Sequence, residues 1–388
     1  MSGAQDSHKL AVLGALIWGS MAPFYMLFSI YLRSLGLSYS SVGLISMAAL
    51  LLSSVPQALF GHLMDRYSMH GQLTSVSLFL RAVCLLMVSL SQDMWSSVLW
   101  YISSSLAMAA FMPAIQSIVA QASVPNRLGR SMGLYRLGGA AGWAVMCLVS
   151  GYAAHATSDF RMSFTLGAFL SLACFLMSLP LRDPMQIAKT KDIRDPGVQA
   201  AKPSSGGLFY ASVFIASLGL GATSSFVTVY LAEAGGDMLY VGTVLAFGAF
   251  VEVPGMYLGG RLSDSFGAPI VLSAGMAGLA LSYWLYGAVD ELAALLLVQG
   301  VRGLFYALST VSGMTMSSAL GGETRGALYA GMYNLVTTLG SSSGPYLAGV
   351  ISDQLGLRSM FGASSIASLA GSLLAGVAHF RAKKEQPK

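Results

Sequence analysis

The chain has 388 residues, of which 55% are hydrophobic and only 10% charged, with a formal net charge of +5. Soluble domains carry about 25% charged residues, so this composition excludes an ordinary soluble enzyme or a nucleic-acid-binding domain. It fits an integral membrane protein with about twelve spans of ~20 residues each.

The N-terminus is short and polar, and the apolar run behind it continues past Phe28 without a small-residue cleavage site. This predicts a retained first span, not a cleaved leader. Spans follow at residues 11–32, 41–62, 72–91, 95–121, 131–154 and 162–181, and then at 208–232, 239–261, 268–289, 292–318, 326–350 and 358–380. Residues 183–207 form the one long polar segment, with Pro184, Pro196, Pro203 and several basic residues. They read as a linker between a bundle at 1–182 and a bundle at 208–388. Cys84, Cys147 and Cys174 all lie in apolar runs and read as small packing residues.

Charge sets the orientation. Fifteen Lys and Arg fall on the side of the linker and both termini, three fall on the other side, and Arg81, Arg136 and Arg302 lie within spans. The positive-inside rule then places both termini and the linker in the cytoplasm of a cell with a plasma (prokaryotic inner) membrane.

The two halves repeat. Gly61-His62-Leu63-Met64-Asp65-Arg66 follows the second span, and Gly260-Arg261-Leu262-Ser263-Asp264 closes the eighth in what reads as a turn. Arg127 to Tyr135 matches Arg325 to Tyr333, and Gly133, Gly142 and Gly151 recur as Gly331, Gly340 and Gly349 at an offset of 198. Two unrelated motifs at nearly one offset indicate a duplicated six-helix unit, an arrangement found in transporters with the substrate site near the midplane.

On these features the chain resembles the major facilitator superfamily over nearly its whole length. The resemblance implies an all-α fold of twelve transmembrane helices in two pseudo-symmetric bundles. It implies that Asp65 and Asp264, with Gly61, Gly260 and Arg66 beside them, cap helices of the opposite half: Asp65 near Arg325, Asp264 near Gly129-Arg130. A helix N-terminus favours a carboxylate, which makes such a gate physically sound. The glutamate of helix 8 loosely resembles the proton-symporter branch that carries sugars, nucleosides and phenylpropionate. Drug antiporters often carry a Gly-Pro pair in helix 5; here the pair is Gly344-Pro345 in helix 11.

Glu252 is the one acid inside a span. An ionisable group at mid-bilayer is costly and reads as functional, with a partner to be found. It stands nine residues before Arg261, ~14 Å inside the membrane edge, while Arg136 stands ~9 Å inside by its distance from Arg130. Arg136 and Arg302 are both candidate partners. Helix 3 is peripheral in the superfamily, so Arg81 is expected to snorkel or to bond backbone carbonyls. Cavity candidates on helices 1, 4, 7, 10 and 11 are Trp18, Tyr25, Tyr101, Gln116, Thr228, Tyr306 and Asn334.

A carboxyl that alternates between a dry site and an arginine can load and release a proton. Three arginines against one glutamate leave positive charge at depth, which favours an organic anion as substrate. The expected function is therefore secondary active transport by alternating access, as proton-coupled symport of a small organic anion. The alternatives are proton-driven efflux of drug-like compounds and uptake of a neutral sugar or nucleoside. The expected partners are substrate, proton and lipid bilayer, with a monomeric chain and no nucleic acid. No phosphate-cradling Gly-x-x-x-x-Gly-Lys sequence, metal-ligand spacing or catalytic constellation is present, so no cofactor, metal or enzymatic activity is expected.

Overall fold

In the computed structural model, the structure describes residues 2–57, 59–60, 62–63, 70–121, 128–179 and 203–384. Linker residues 183–202, Gly61, Asp65 and Arg66 lie outside them, as do the side chains of Gln116 and Arg325, while linker residues 203–207 are helical. The described residues form helices and no strands. In chain order these are α1 (Ser2–Ser34), α2 (Tyr39–Ser54), α3 (His70–Leu90), α4 (Met94–Gln121), α5 (Leu128–Thr157) and α6 (Phe160–Ser178). The second half contributes α7 (Pro203–Glu233), α8 (Met238–Phe266), α9 (Ala268–Ala288), α10 (Leu292–Leu355) and α11 (Leu357–Lys384). Helices satisfy every backbone group internally, which is why apolar runs of this length adopt them in lipid.

Two expected boundaries need correction. Spans 292–318 and 326–350 are not separated by a break in helical backbone; α10 is helical over all 64 residues. A straight helix of that length would measure ~96 Å, far beyond a ~30 Å bilayer core. It folds back instead: the Ser317 hydroxyl donates to the Tyr329 carbonyl at 2.6 Å, across twelve positions that a straight helix would hold ~18 Å apart. One helix thus covers two of the expected spans, and the described helices overlap all twelve of them. The second correction concerns Gly260 to Asp264, which are not a turn but the last turns of α8. The chain reverses at Gly267, whose φ of 89° suits a residue without a Cβ.

The chain divides into two compact units, Met1–Gly36 with Ala48–Ile193 and Gly236–Ala249, and Leu37–Met47 with Arg194–Gly235 and Phe250–Lys388. In unit 1, α1 packs on α5 and α6, and α3 packs on α4 and α6. In unit 2, α7 packs on α10 and α11, and α9 packs on the same two. The glycines that recur in sequence do the same work in both units. Gly142 lets α5 approach the α1 backbone at Ala15, and Gly340 lets α10 approach α7, where an added Cβ would lie 2.6 Å from the Phe214 carbonyl. The cores match too: Leu78 and Tyr135 in unit 1 stand where Met276 and Tyr333 stand in unit 2. Outward-facing apolar side chains such as Trp95, Phe250 and Ile366 are largely exposed, as a lipid-facing surface requires.

At the ends where α1 and α7 finish, polar caps order the chain. Asp93 accepts from the Ser96 amide at 2.8 Å and Ser96 hydroxyl at 2.6 Å, and these bonds hold its carboxyl below the usual range. Asp159 and Asp237 cap α6 and α8 in the same way, through the Arg161 and Tyr240 amides. In unit 2 the Asp353 carboxylate takes the Tyr39 and Ser40 amides at 2.8 and 2.9 Å, capping α2 from the far end of α10. In unit 1, at the matching position of the repeat, His155 stands 3.2 Å from Asp237.

Candidate functional site

The site is built by the close approach of α8 and α10 within unit 2. Gly255 and Gly259 lie one turn apart on α8. A Cβ on Gly255 would sit 2.9 Å from the Ala307 methyl carbon, and one on Gly259 would sit 3.3 Å from the Val311 side chain. Small residues at this spacing let membrane helices approach closely. Glu252, three residues before Gly255, is thereby held against α10.

Its partner there is Arg302. The Arg302 Nη2 lies 3.6 Å from Glu252 Oε1, and the two side chains keep only 13% and 21% of their exposure. The separation is that of a loose ion pair, not of a two-point fork. The rest of the guanidinium is held from its own helix. Arg302 Nε donates to Gln299 Oε1 at 3.0 Å, one turn back. One turn on, the Tyr306 ring lies beneath the guanidinium carbon at 5.8 Å, a cation–π distance. Gln299 is buried and its Oε1 also accepts the Tyr286 hydroxyl from α9. Tyr286 in turn stacks on Phe361 at 5.1 Å and meets Tyr230 edge-on at 6.5 Å, so the chain is rooted in packing against α7 and α11.

Of the two candidate partners, the structure brings Arg302 to Glu252. Arg136 is an exposed residue of α5 in unit 1. Among the cavity candidates, Trp18 and Tyr25 both meet Trp143 edge-on, at 6.5 and 4.9 Å. Tyr101 stacks on Phe28 at 3.8 Å. Thr228 is fully buried on α7, while Asn334 is exposed on the returning arm of α10. Asp264 is exposed near the end of α8. Sequence reasoning missed Gln299, Tyr286 and Trp143. The spacing Gln299, Arg302, Tyr306 places all three on one helical face, and that periodicity was the available signal for Gln299.

Arg81 departs from expectation. It neither snorkels nor bonds backbone carbonyls: it is 4% exposed and donates through Nη1 to the Ser20 and Ser171 hydroxyls at 2.9 and 3.2 Å. The reason is that α3 packs on both α4 and α6, which turns Arg81 into the bundle toward α1. Among the described residues no carboxylate pairs with it.

A family model described as the MFS_1 like family matches residues 11–363. The multidrug resistance protein MdtG of Yersinia enterocolitica is 24% identical over 93% of this chain and 90% of its own length. An uncharacterized MFS-type transporter of Methanocaldococcus jannaschii is 25% identical, the match spanning 40% of each chain. Two solved structures share the fold. A bacterial homologue of the human lysosomal transporter Spinster superposes with a TM-score of 0.81 at 14% identity, over 99% of this chain and 98% of its own. The nucleoside transporter NupG superposes with a TM-score of 0.76 at 16% identity, over the whole of both chains. With the family model matched over most of its length and the twelve-span fold shared with solved transporters, the chain belongs to the MFS_1-like family of major facilitator transporters.

Proposed function

We propose that the chain moves a small organic anion together with a proton, with Glu252 as the proton carrier and Arg302 as the counter-charge of the substrate. Family membership makes it a multi-pass membrane protein and a secondary transporter, not an enzyme. The observation that carries the finer reading is the pairing of Glu252 with Arg302 at 3.6 Å. While Glu252 is ionised it occupies the guanidinium. A proton on Glu252 releases Arg302, whose planar fork then suits a substrate carboxylate.

Both favoured states are internally neutral: ionised glutamate on arginine, or protonated glutamate with an anion on arginine. The mixed states leave a desolvated charge unpaired, at a cost of several kcal/mol. That penalty ties anion binding to proton binding, which is what symport requires. The same pairing revises the argument from excess charge: Arg302 is not an uncompensated cation waiting for an anion but becomes one on protonation of Glu252.

Trp18, Tyr25, Tyr101, Gln116, Thr228, Tyr306 and Asn334 line the path in this reading, and Arg136 lies along it. Asp65 and Asp264, with Gly61, Gly260, Arg66 and Arg325, form the cytoplasmic gate between bundles 1–182 and 208–388. Both termini face the cytoplasm, and one chain suffices. Cys84, Cys147 and Cys174 are buried, so an introduced cysteine can report on that gate. Labelling from the cytoplasmic side should rise at α4 positions in Asp65→Asn and Asp264→Asn, and unchanged labelling in both would remove these aspartates from the gate.

A second reading rests on the MdtG relative, named for multidrug resistance and aligned over 93% of this chain. There a cationic compound would replace Arg302 on an ionised Glu252, giving antiport with protons. A thermal-shift screen of carboxylates, nucleosides, sugars and cationic drugs at two pH values separates the readings, because a bound ligand stabilises by mass action. Stabilisation by carboxylates, stronger at the acidic pH and lost in Arg302→Gln, is expected for symport. Stabilisation by cations, stronger at the alkaline pH, marks antiport and overturns the anion assignment.

A further inference from the structure

We propose that Gln299 is a positioning residue that sets the pH at which the Glu252–Arg302 pair opens, by keeping Arg302 Nε out of the ion pair. The inference rests on the coupling role given to that pair above.

An arginine side chain pairs most strongly with a carboxylate when two of its N–H groups face the two oxygens. Arg302 is denied that geometry. Its Nε is already committed to Gln299 Oε1 at 3.0 Å, and Nη2 stands 3.6 Å from Glu252 Oε1. Gln299 cannot easily yield. Arg302 Nε is a donor only, so the amide must present its oxygen. That oxygen also takes the Tyr286 hydroxyl, which fixes the amide from a second helix. Tyr286 is buried with no exposed surface and packs against both Tyr230 and Phe361.

The pair is therefore deliberately weak on one side: close enough to neutralise, too loose to hold against a proton. Among the described residues of unit 2, Arg302 faces Glu252, Tyr306 lies beneath the Arg302 guanidinium, and Tyr286 reaches Arg302 through Gln299. On α8 itself Tyr257 and Arg261 follow, with the Arg261 guanidinium 5.8 Å from the Tyr257 ring. Of these groups, Arg302 is the one in an ion pair with Glu252 among the described residues.

Substitutions at Gln299 should move the set-point in opposite directions. Gln299→Met removes the acceptor and frees Nε to join Glu252, which tightens the pair. Gln299→Glu adds a second carboxylate that competes for Arg302 and repels Glu252, which loosens the pair. Tyr286→Phe removes one of the two bonds on Oε1 and should act in the direction of Gln299→Met, more weakly, with little risk to folding.

The readout needs no substrate. Infrared difference spectra of the purified full-length protein, stepped in pH, report the carbonyl stretch of a protonated carboxyl in a dry site, and Glu252→Gln identifies which band is Glu252. Relative to the wild type, the midpoint of that band is expected to fall by about one pH unit in Gln299→Met and to rise by a similar amount in Gln299→Glu, the size of effect a neighbouring arginine has on a carboxylate. Shifts of the same sign in both variants, or no shift in all three, would overturn the proposal. The coupling reading itself fails on a different result, unchanged proton-driven transport in Glu252→Gln, so the two failures are distinguishable.

Discussion

Arg81 in unit 1 and Arg302 in unit 2 are both arginines held inside a helix bundle, yet their surroundings share almost nothing. Arg81 is met by two serine hydroxyls from α1 and α6. Arg302 is met by a carboxylate, an amide oxygen and an aromatic face. Hydroxyls cannot change charge near neutral pH, so the Arg81 cluster has one state and serves to tie three helices together. A carboxylate can take a proton, so the Arg302 cluster has two states. The repeat that built both units has thus left a fixed cation in one and a switchable pair in the other.

The largest effect expected from breaking this contrast is at Arg302. Arg302→Met strands Glu252 in a dry site; removing one partner of a buried pair costs about 3–5 kcal/mol. A marked drop in melting temperature and loss of proton-driven transport should follow. Adding Glu252→Gln to that variant should restore the melting temperature and leave transport dead. If the double variant is no more stable than Arg302→Met, the two side chains are not a charge pair.

A second contrast between the units concerns their polar ends. Asp353 caps α2 with both carboxylate oxygens, so Asp353→Asn should cost about 1 kcal/mol at any pH above the carboxylate range. The matching contact in unit 1, between His155 and Asp237, is about half exposed on each side. Exposed contacts of this kind are worth ~0–1 kcal/mol, so His155→Gln should cost less than Asp353→Asn. Thermal unfolding of the two variants checks the order; a larger loss in His155→Gln would assign that residue a packing role instead.

The smallest effect is expected at Arg81. Removing a buried charge that no described carboxylate neutralises also removes its desolvation cost, which offsets the two serine bonds that Arg81 makes between helices. Arg81→Met should melt at or above the wild-type temperature and transport within about twofold of it. Loss of transport in a folded Arg81→Met protein would move Arg81 into the machinery and erase the contrast between the two units.

Much of this was legible in the sequence. Apolar runs gave the spans, and the recurring glycines gave the duplication, because close helix approach needs the same small residues in both copies. Glu252 stood out because a carboxylate among apolar residues is rare, and Arg302 stood out for the same reason. What stayed hidden depends on rotation and on long-range packing. Gln299 and Tyr286 look like any polar residues of a membrane helix until the faces of α9 and α10 are placed together. The burial of Arg81 follows from the packing of α3 on α4 and α6, which no local pattern records. The end of α8 and the continuity of α10 were missed because Gly260 to Asp264 read as a turn and residues 319–325 as a gap between spans, while the helical backbone runs through both. Near the membrane surface, continuing a helix satisfies backbone groups as well as a turn does, so a glycine there need not end it.

The central claim is that the proton which drives transport rides on Glu252. The most direct measurement is accumulation of a substrate from the thermal-shift screen in proteoliposomes under an imposed pH gradient, comparing wild type with Glu252→Gln. The amide keeps the size of the side chain and cannot carry the proton. The account predicts that the wild type concentrates substrate against its gradient, while Glu252→Gln exchanges internal for external substrate but does not concentrate it. A Glu252→Gln protein that still accumulates substrate to the wild-type level would contradict it.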